Sequence, residues 1–135
     1  MAAEKTFKCS LLTPDRQVLE CAARFVALPA HDGEMGFLRN RAPMVCKLGT
    51  GGLRVDSPEG DRRYFIDGGF AQMLENSLTV LTDWAQADKD VTIERAEGAL
   101  REAIDLPADD ADSRAKRESA VHRARARLRF ARRFT

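Results

Sequence analysis

Apolar and polar positions alternate along the first two thirds of the chain, and turn-forming residues interrupt the alternation at intervals of about ten residues. Phe7-Lys8-Cys9-Ser10-Leu11 carries the pattern of a half-buried strand. Thr13-Pro14-Asp15 follows as a turn, Pro presetting φ and Asp able to bond its own backbone. Val18 to Leu28 contains a second extended stretch ending at Pro29. Phe37-Leu38, Val45 to Leu48 and Leu53-Arg54-Val55 are further short strands, punctuated by Gly33, Gly36, Pro43 and the cluster Gly49-Thr50-Gly51-Gly52. Two hairpins are legible: Pro58-Glu59-Gly60-Asp61 separates Leu53–Val55 from Arg63–Ile66, and Glu75-Asn76-Ser77 separates Phe70–Leu74 from Leu78–Leu81. Many short strands with no helical pattern between them predict a sandwich or a barrel, not alternating β-α units.

After Trp84 the period changes. Asp88-Lys89-Asp90 reads as a polar linker, and Ile93, Ala96, Leu100 and Ala103 then mark one stripe of a helix, with Asp90, Thr92 and Glu94 supplying caps and negative charge at its start. Pro107 and the run Asp109-Asp110-Ala111-Asp112 predict a loop. Val121, Ala124, Leu128 and Ala131 repeat the stripe in a second helix, with Ser113 or Asp112 as its cap. Two such helices joined by a short loop predict an antiparallel hairpin. Half the seam is alanine, so little apolar area is buried and the hairpin is expected to be a poor independent domain. The expected division is residues 1–87 for the β part and 88–135 for the helical hairpin.

A chain of 135 residues has room for one domain, or one domain and an appendage. With 44% hydrophobic and 32% charged positions, wholesale disorder is excluded. No stretch approaches the roughly eighteen apolar residues of a membrane helix. Met1 to Lys8 holds no apolar leader core, so no signal or transit peptide is expected and a cytosolic setting is the default. Cys9, Cys21 and Cys46 form no Cys-x-x-Cys, which leaves neither a zinc knuckle nor a dithiol pair; all three read as inert buried thiols.

Candidate chemistry is sparse. The glycine cluster at 49–52 lacks the Lys-Ser/Thr of a nucleotide loop and precedes a strand, so it reads as a turn. His31-Asp32-Gly33-Glu34 bunches metal-ligand types but reads as a solvated loop, and His122 lies far away in the chain. No triad, dyad or metal set is visible, so an enzyme is not expected, nor a cofactor or metal.

Charge is the informative quantity. The net charge of +1 is the sum of residues 1–113, with 13 basic and 20 acidic side chains, and residues 114–135, with nine basic and one acidic. Arg123, Arg125, Arg127 and Arg129 recur at every second position, with Arg132 and Arg133 beyond. Such a bias implies an acidic partner, protein or nucleic acid. Only Phe130 and Phe134 offer aromatics for base stacking, which favours an acidic protein surface; a nucleic-acid module with an arginine-rich tail is the alternative.

Certain strings add a resemblance. Leu28-Pro29-Ala30-His31-Asp32-Gly33-Glu34-Met35-Gly36-Phe37-Leu38-Arg39-Asn40-Arg41-Ala42-Pro43-Met44 resembles the signature loop of the F-type ATP synthase epsilon subunit. Asp67-Gly68-Gly69-Phe70, followed by Leu78-Thr79-Val80-Leu81-Thr82-Asp83, resembles that family's second hallmark. The resemblance implies an N-terminal antiparallel β-sandwich followed by an α-helical antiparallel hairpin, in a non-catalytic rotor subunit that couples ion flow to ATP synthesis. It implies that the sandwich binds the gamma subunit and rests on the ring of c subunits, with Glu34, Arg39 and Arg41 as contacts. It further implies that the hairpin extends, so that Arg123, Arg125, Arg127 and Arg129 meet an acidic segment of the catalytic beta subunit and restrain ATP hydrolysis. The setting implied is the cytoplasmic side of the inner membrane, peripheral, within the complex, with no nucleic acid as partner. Two departures stand out. Arg41 replaces the usual His of the signature loop. In Val91-Thr92-Ile93-Glu94-Arg95-Ala96, Arg95 and Ala96 fit the ATP-binding motif of some bacterial members, but Thr92 replaces its carboxylate, so no tight ATP site is expected.

Overall fold

The computed structural model describes residues 5–133, so Phe134 lies outside the described residues. Ten strands come first: β1 (Phe7–Leu12), β2 (Gln17–Ala23), β3 (Phe25–Ala30), β4 (Gly33–Phe37), β5 (Met44–Lys47), β6 (Thr50–Ser57), β7 (Gly60–Asp67), β8 (Phe70–Leu74), β9 (Ser77–Leu81) and β10 (Ala85–Ala87). They form two five-stranded sheets, ordered β2-β1-β9-β8-β5 and β10-β7-β6-β3-β4. A single 3-10 turn, Asp88–Asp90, leads to helices α1 (Ile93–Ile104) and α2 (Ala111–Arg133). Two compact units result, dividing between Ala87 and Asp88.

The sandwich follows from period-two burial. Phe7, Cys9 and Leu11 of β1, Ala71 and Met73 of β8, and Leu78 and Val80 of β9 point into one core with Leu53 and Val55 of β6 and Tyr64 and Ile66 of β7. Each fully buried large side chain contributes about 1.5–3 kcal/mol, and this shared core binds the two sheets face to face. The expected antiparallel pairing holds at every ladder but one: β1 and β9 run parallel, Lys8 opposite Ser77 and Leu12 opposite Leu81. The chain changes sheet between those strands, which brings β9 in along the direction of β1.

Four local expectations need correction. The single stretch from Val18 to Leu28 is two strands in different sheets. The break is at Arg24, whose N–H donates to the Asp56 carbonyl at 2.7 Å and whose guanidinium reaches the Asp56 carboxylate and Ser57 carbonyl. His31-Asp32 is the two-residue turn of a β3–β4 hairpin, with Ala30 opposite Gly33, and Glu34 belongs to the strand. Thr50-Gly51-Gly52 is the start of β6 and not a turn; Gly51 lies opposite Ile66, beside the Pro29 ring. The cap of helix α2 is Asp110, two residues before Asp112 and three before Ser113, the caps foreseen: Asp110 accepts the Ser113 N–H at 2.8 Å while the Asp110 N–H donates to the Ser113 hydroxyl.

In the helical unit Thr92 caps α1, its hydroxyl accepting the Arg95 N–H at 3.2 Å. The Arg117 side chain donates to the Ile104 carbonyl at 3.1 Å and so satisfies an orphan acceptor at the end of α1. Of the five large residues on the two expected stripes and their flank, Ile93, Leu100, Ile104, Val121 and Leu128, only Leu128 is buried; Ile104 is exposed. Ala96 and Ala103 are the buried positions of α1.

Candidate functional site

Three surfaces carry unbalanced chemistry. The first is the outer face of the β2-β1-β9-β8-β5 sheet. Pairing sets Leu12, Leu81, Phe70 and Lys47 side by side across four strands, with Val45 one step along the face opposite Gln72. Phe70 is 56% exposed, Leu81 49% and Val45 66%, while their in-facing neighbours Ala71, Val80 and Met73 are buried. Large apolar side chains on the outside of a fully formed sheet face are what a docking surface looks like. Sequence reading placed these residues in strands, but it did not assign their face, because Phe70-Ala71 and Val80-Leu81 put apolar residues at both parities.

The second surface is the crossover from β4 to β5, which links an edge of one sheet to an edge of the other. Glu34 and Arg39 are exposed, as their proposed contact role requires. Arg41 is engaged by its own loop: its guanidinium donates to the Gly36 carbonyl at 3.1 Å and lies 5.3 Å from the centre of the Phe37 ring. The metal-ligand types nearby do not converge. His31 Nδ1 stands 4.0 Å from Asp32 Oδ1, and among the described residues no group of three His, Cys, Asp or Glu side chains is placed to hold a metal.

The third surface is α2. Its alternate arginines fall into two sets, as a 3.6-residue repeat dictates. Arg125 and Arg129, one turn apart, line a groove of about 460 Å³ with Arg117, Val121 and His122 of α2 and Ile104 of α1. Arg123 is exposed, whereas Arg127 is half-buried, so the four arginines are not equivalent. Burial, and then the positive charge of Arg95 across the hairpin, hold the Arg127 guanidinium below its usual range. The buried set of α2 is also wider than its stripe: Ala126 and Phe130 join Ala124, Leu128 and Ala131. Phe130 is thereby unavailable for stacking on a base, and Phe134 lies outside the described residues.

The cysteines lie in strands β1, β2 and β5. Cys9 lies directly opposite Cys21 in the β1–β2 ladder, and burial, with Cys21 beside it, pushes its thiol up to about 12. Cys21 and Cys46 are half-buried, not fully buried as expected, and burial raises both. Among the described residues no helix is long and apolar enough to cross a membrane.

Comparison with known proteins agrees with the strings singled out above. Residues 6–88 match the family described as ATP synthase, Delta/Epsilon chain, beta-sandwich domain. The chain is 42% identical over 127 residues to the ATP synthase epsilon chain of Rhodopirellula baltica, covering 94% of this chain and 99% of that one. It is 32% identical over 131 residues to the ATP synthase epsilon chain of Syntrophomonas wolfei, covering 94% and 95%. In fold it is similar to a chain of the Euglena gracilis mitochondrial ATP synthase, solved as OSCP/F1/c-ring, with a TM-score of 0.80 at 24% identity over 93% of this chain and 81% of that one. The nucleic-acid alternative finds no support in these likenesses. A sandwich that matches the family over its whole length, followed by a helical hairpin, in a chain similar from end to end to epsilon chains, leads to one conclusion: this chain belongs to the family of ATP synthase epsilon chains.

Proposed function

We propose that the apolar row on the outer sheet face attaches this non-catalytic subunit to the gamma subunit of the rotor, and that the β4–β5 crossover meets the ring of c subunits. The observation that carries the reading is the row itself. Leu12, Leu81, Phe70 and Val45 stand outside a core that is already complete, so their burial is left to a partner. Glu34 and Arg39, exposed at the sheet edge, suit contacts with polar loops of a membrane ring. The subunit then works at the membrane surface as a peripheral part of the synthase.

Helix α2 is the regulatory element in this proposal. In the extended state Arg125 and Arg129 approach an acidic segment of the catalytic beta subunit and slow ATP hydrolysis. The alanine-lined seam of the hairpin supports such a change of state, because few large contacts need to be broken. We propose no nucleotide site at the start of α1: the Thr92 hydroxyl caps the helix where the ATP-binding motif places a carboxylate.

The attachment is tested by binding of purified gamma subunit to variants of Phe70 and Leu81. The regulatory part is tested by ATP hydrolysis of the assembled enzyme with the intact chain and with one ending at Asp112. Removal of α2 should raise the rate, and an unchanged rate refutes the regulatory half while leaving the attachment standing.

A further inference from the structure

Asn40 and Asn76 are 36 residues apart in the chain and exchange two hydrogen bonds. The Asn40 N–H donates to Asn76 Oδ1 at 2.7 Å, and Asn76 Nδ2 donates to Asn40 Oδ1 at 3.1 Å. Both residues are left-handed, with φ of 65° and 59°, a region where Asn is among the few tolerated side chains. The Asn76 carbonyl also accepts the Lys8 N–H at 2.9 Å. One residue in the β8–β9 turn therefore joins the start of β1 to the β4–β5 crossover.

The other side of the crossover is closed by Arg41, on the Gly36 carbonyl and the face of Phe37, which is fully buried and so a fixed base. Between the two clasps the backbone is held, yet Leu38 is left 59% exposed and Arg39 projects into solvent. A loop that only connected two sheets would gain more by turning Leu38 inward. Here the side chains that could shield it are used to fix the backbone beneath it.

We propose that Asn40, Asn76 and Arg41 are positioning residues that hold the crossover rigid and present Leu38 and Arg39 as a preformed tip. The tip joins an isobutyl group to a guanidinium, so its complement is a carboxylate beside an apolar recess on the partner surface. A loop already in its bound shape loses less conformational freedom on docking, which raises affinity without adding a contact. The inference deepens the reading of the crossover as the ring-facing contact and rests on it. It also reassigns Arg41 from touching the partner to shaping the loop that does.

The test compares clasp variants with tip variants in the intact chain. Asn40→Gly and Asn76→Gly keep the left-handed backbone accessible and remove the clasp; Asn76→Asp keeps an acceptor for the Asn40 N–H. Leu38→Ser combined with Arg39→Ala removes the tip. Two quantities are read: rebinding to ATP synthase depleted of this subunit but retaining its c-ring, and hydrogen exchange at the Asn40 amide in the free protein. Asn76→Gly should speed that exchange and weaken rebinding about three- to tenfold. The Asn40→Gly/Asn76→Gly double variant should be no weaker than either single one, and Asn76→Asp should recover most of the loss. The tip variant should weaken rebinding at least as much with exchange unchanged. Clasp variants that rebind like wild type while the tip variant weakens would overturn the positioning role and leave the ring contact in place. Tip variants that rebind like wild type would overturn the ring contact itself.

Discussion

Replacing Phe70 and Leu81 together by Thr should separate attachment from folding. The two side chains are direct cross-strand partners on the outer face of their sheet, 56% and 49% exposed. Full burial of a Phe or Leu side chain contributes about 1.5–3 kcal/mol. With about half of each surface still open to water, completing the burial against gamma contributes roughly 0.8–1.5 kcal/mol per residue. The double variant should therefore lose about 1.5–3 kcal/mol of binding, a rise in Kd of roughly 12- to 150-fold. The cost to the free protein is smaller: a cross-strand apolar pair contributes about 0.2–1 kcal/mol, and Thr is itself a good strand former. The melting temperature should fall by only a few degrees. The assay is titration calorimetry of purified gamma with wild-type and variant chains, beside urea unfolding of each chain alone. A control, Glu59→Ala in the exposed β6–β7 turn, should bind normally. A Kd within threefold of wild type, with the unfolding midpoint unchanged, refutes the argument: the apolar row would then be surface without a partner.

Further outcomes follow from single positions. Gly69→Ala should destabilise the sandwich by about 3 kcal/mol or more, and Gly60→Ala by about 1–2 kcal/mol, in urea titrations. Both glycines have positive φ, but a Cβ on Gly69 would collide with the Leu81 carbonyl and stand 2.8 Å from Thr82 Cα, whereas Gly60 faces open space; equal losses would show that strain alone decides. In native protein at pH 8, Cys21 and Cys46 should react with a thiol reagent well before Cys9, whose thiol is pushed up to about 12, and simultaneous labelling would contradict its burial. The Asp110 carboxyl is held below its ordinary value of 3.8, first by the Ser113 hydroxyl, so its capping contribution is present above that value and is lost as pH falls through the lower folded one. The acid loss of helicity, followed by circular dichroism below pH 4, should therefore be shallower in Asp110→Asn, which caps without titrating, and identical curves would reject this linkage.

The strands were legible because period-two alternation at Phe7–Leu11 and turn residues at Pro58-Glu59 and Glu75-Asn76 are local signals. What depended on distant partners was not. Nothing in Val18 to Leu28 marks Arg24 as the point where the chain leaves one sheet for the other, since that depends on Asp56 and Ser57, more than thirty residues on. The exposed row on the outer sheet face required the register of four strands at once. The Asn40–Asn76 clasp likewise joins two turns that look unrelated in the chain. At Thr92 the local reading sufficed, because a cap needs only the next turn of its own helix.

The basic helix shows how far composition carries and where geometry must take over. Arginines at every second residue advance 200° per step, so they cannot form a single face. The structure sorts them: Arg125 and Arg129 share the groove beside Ile104, while Arg127 is half-buried near Arg95. If charge on α2 restrains hydrolysis, the two sets should not contribute equally. Neutralising Arg125 and Arg129 to Gln removes two exposed charges, each contributing about 0.2–1 kcal/mol to attraction for an acidic surface. Their loss should shift the balance of hairpin states by about two- to thirtyfold toward the unrestrained one. Arg127→Gln acts differently, since Arg127 is half-buried within the helical unit and less open to a partner surface than Arg125 and Arg129. Neutralising Arg125 and Arg129 should raise ATP hydrolysis by the assembled enzyme and lose that effect as added salt screens exposed charge, whereas Arg127→Gln should show no such salt dependence. Rates that rise equally and with the same salt dependence for the two variants would show that α2 acts through its total charge, and the division of its surface would have no functional meaning.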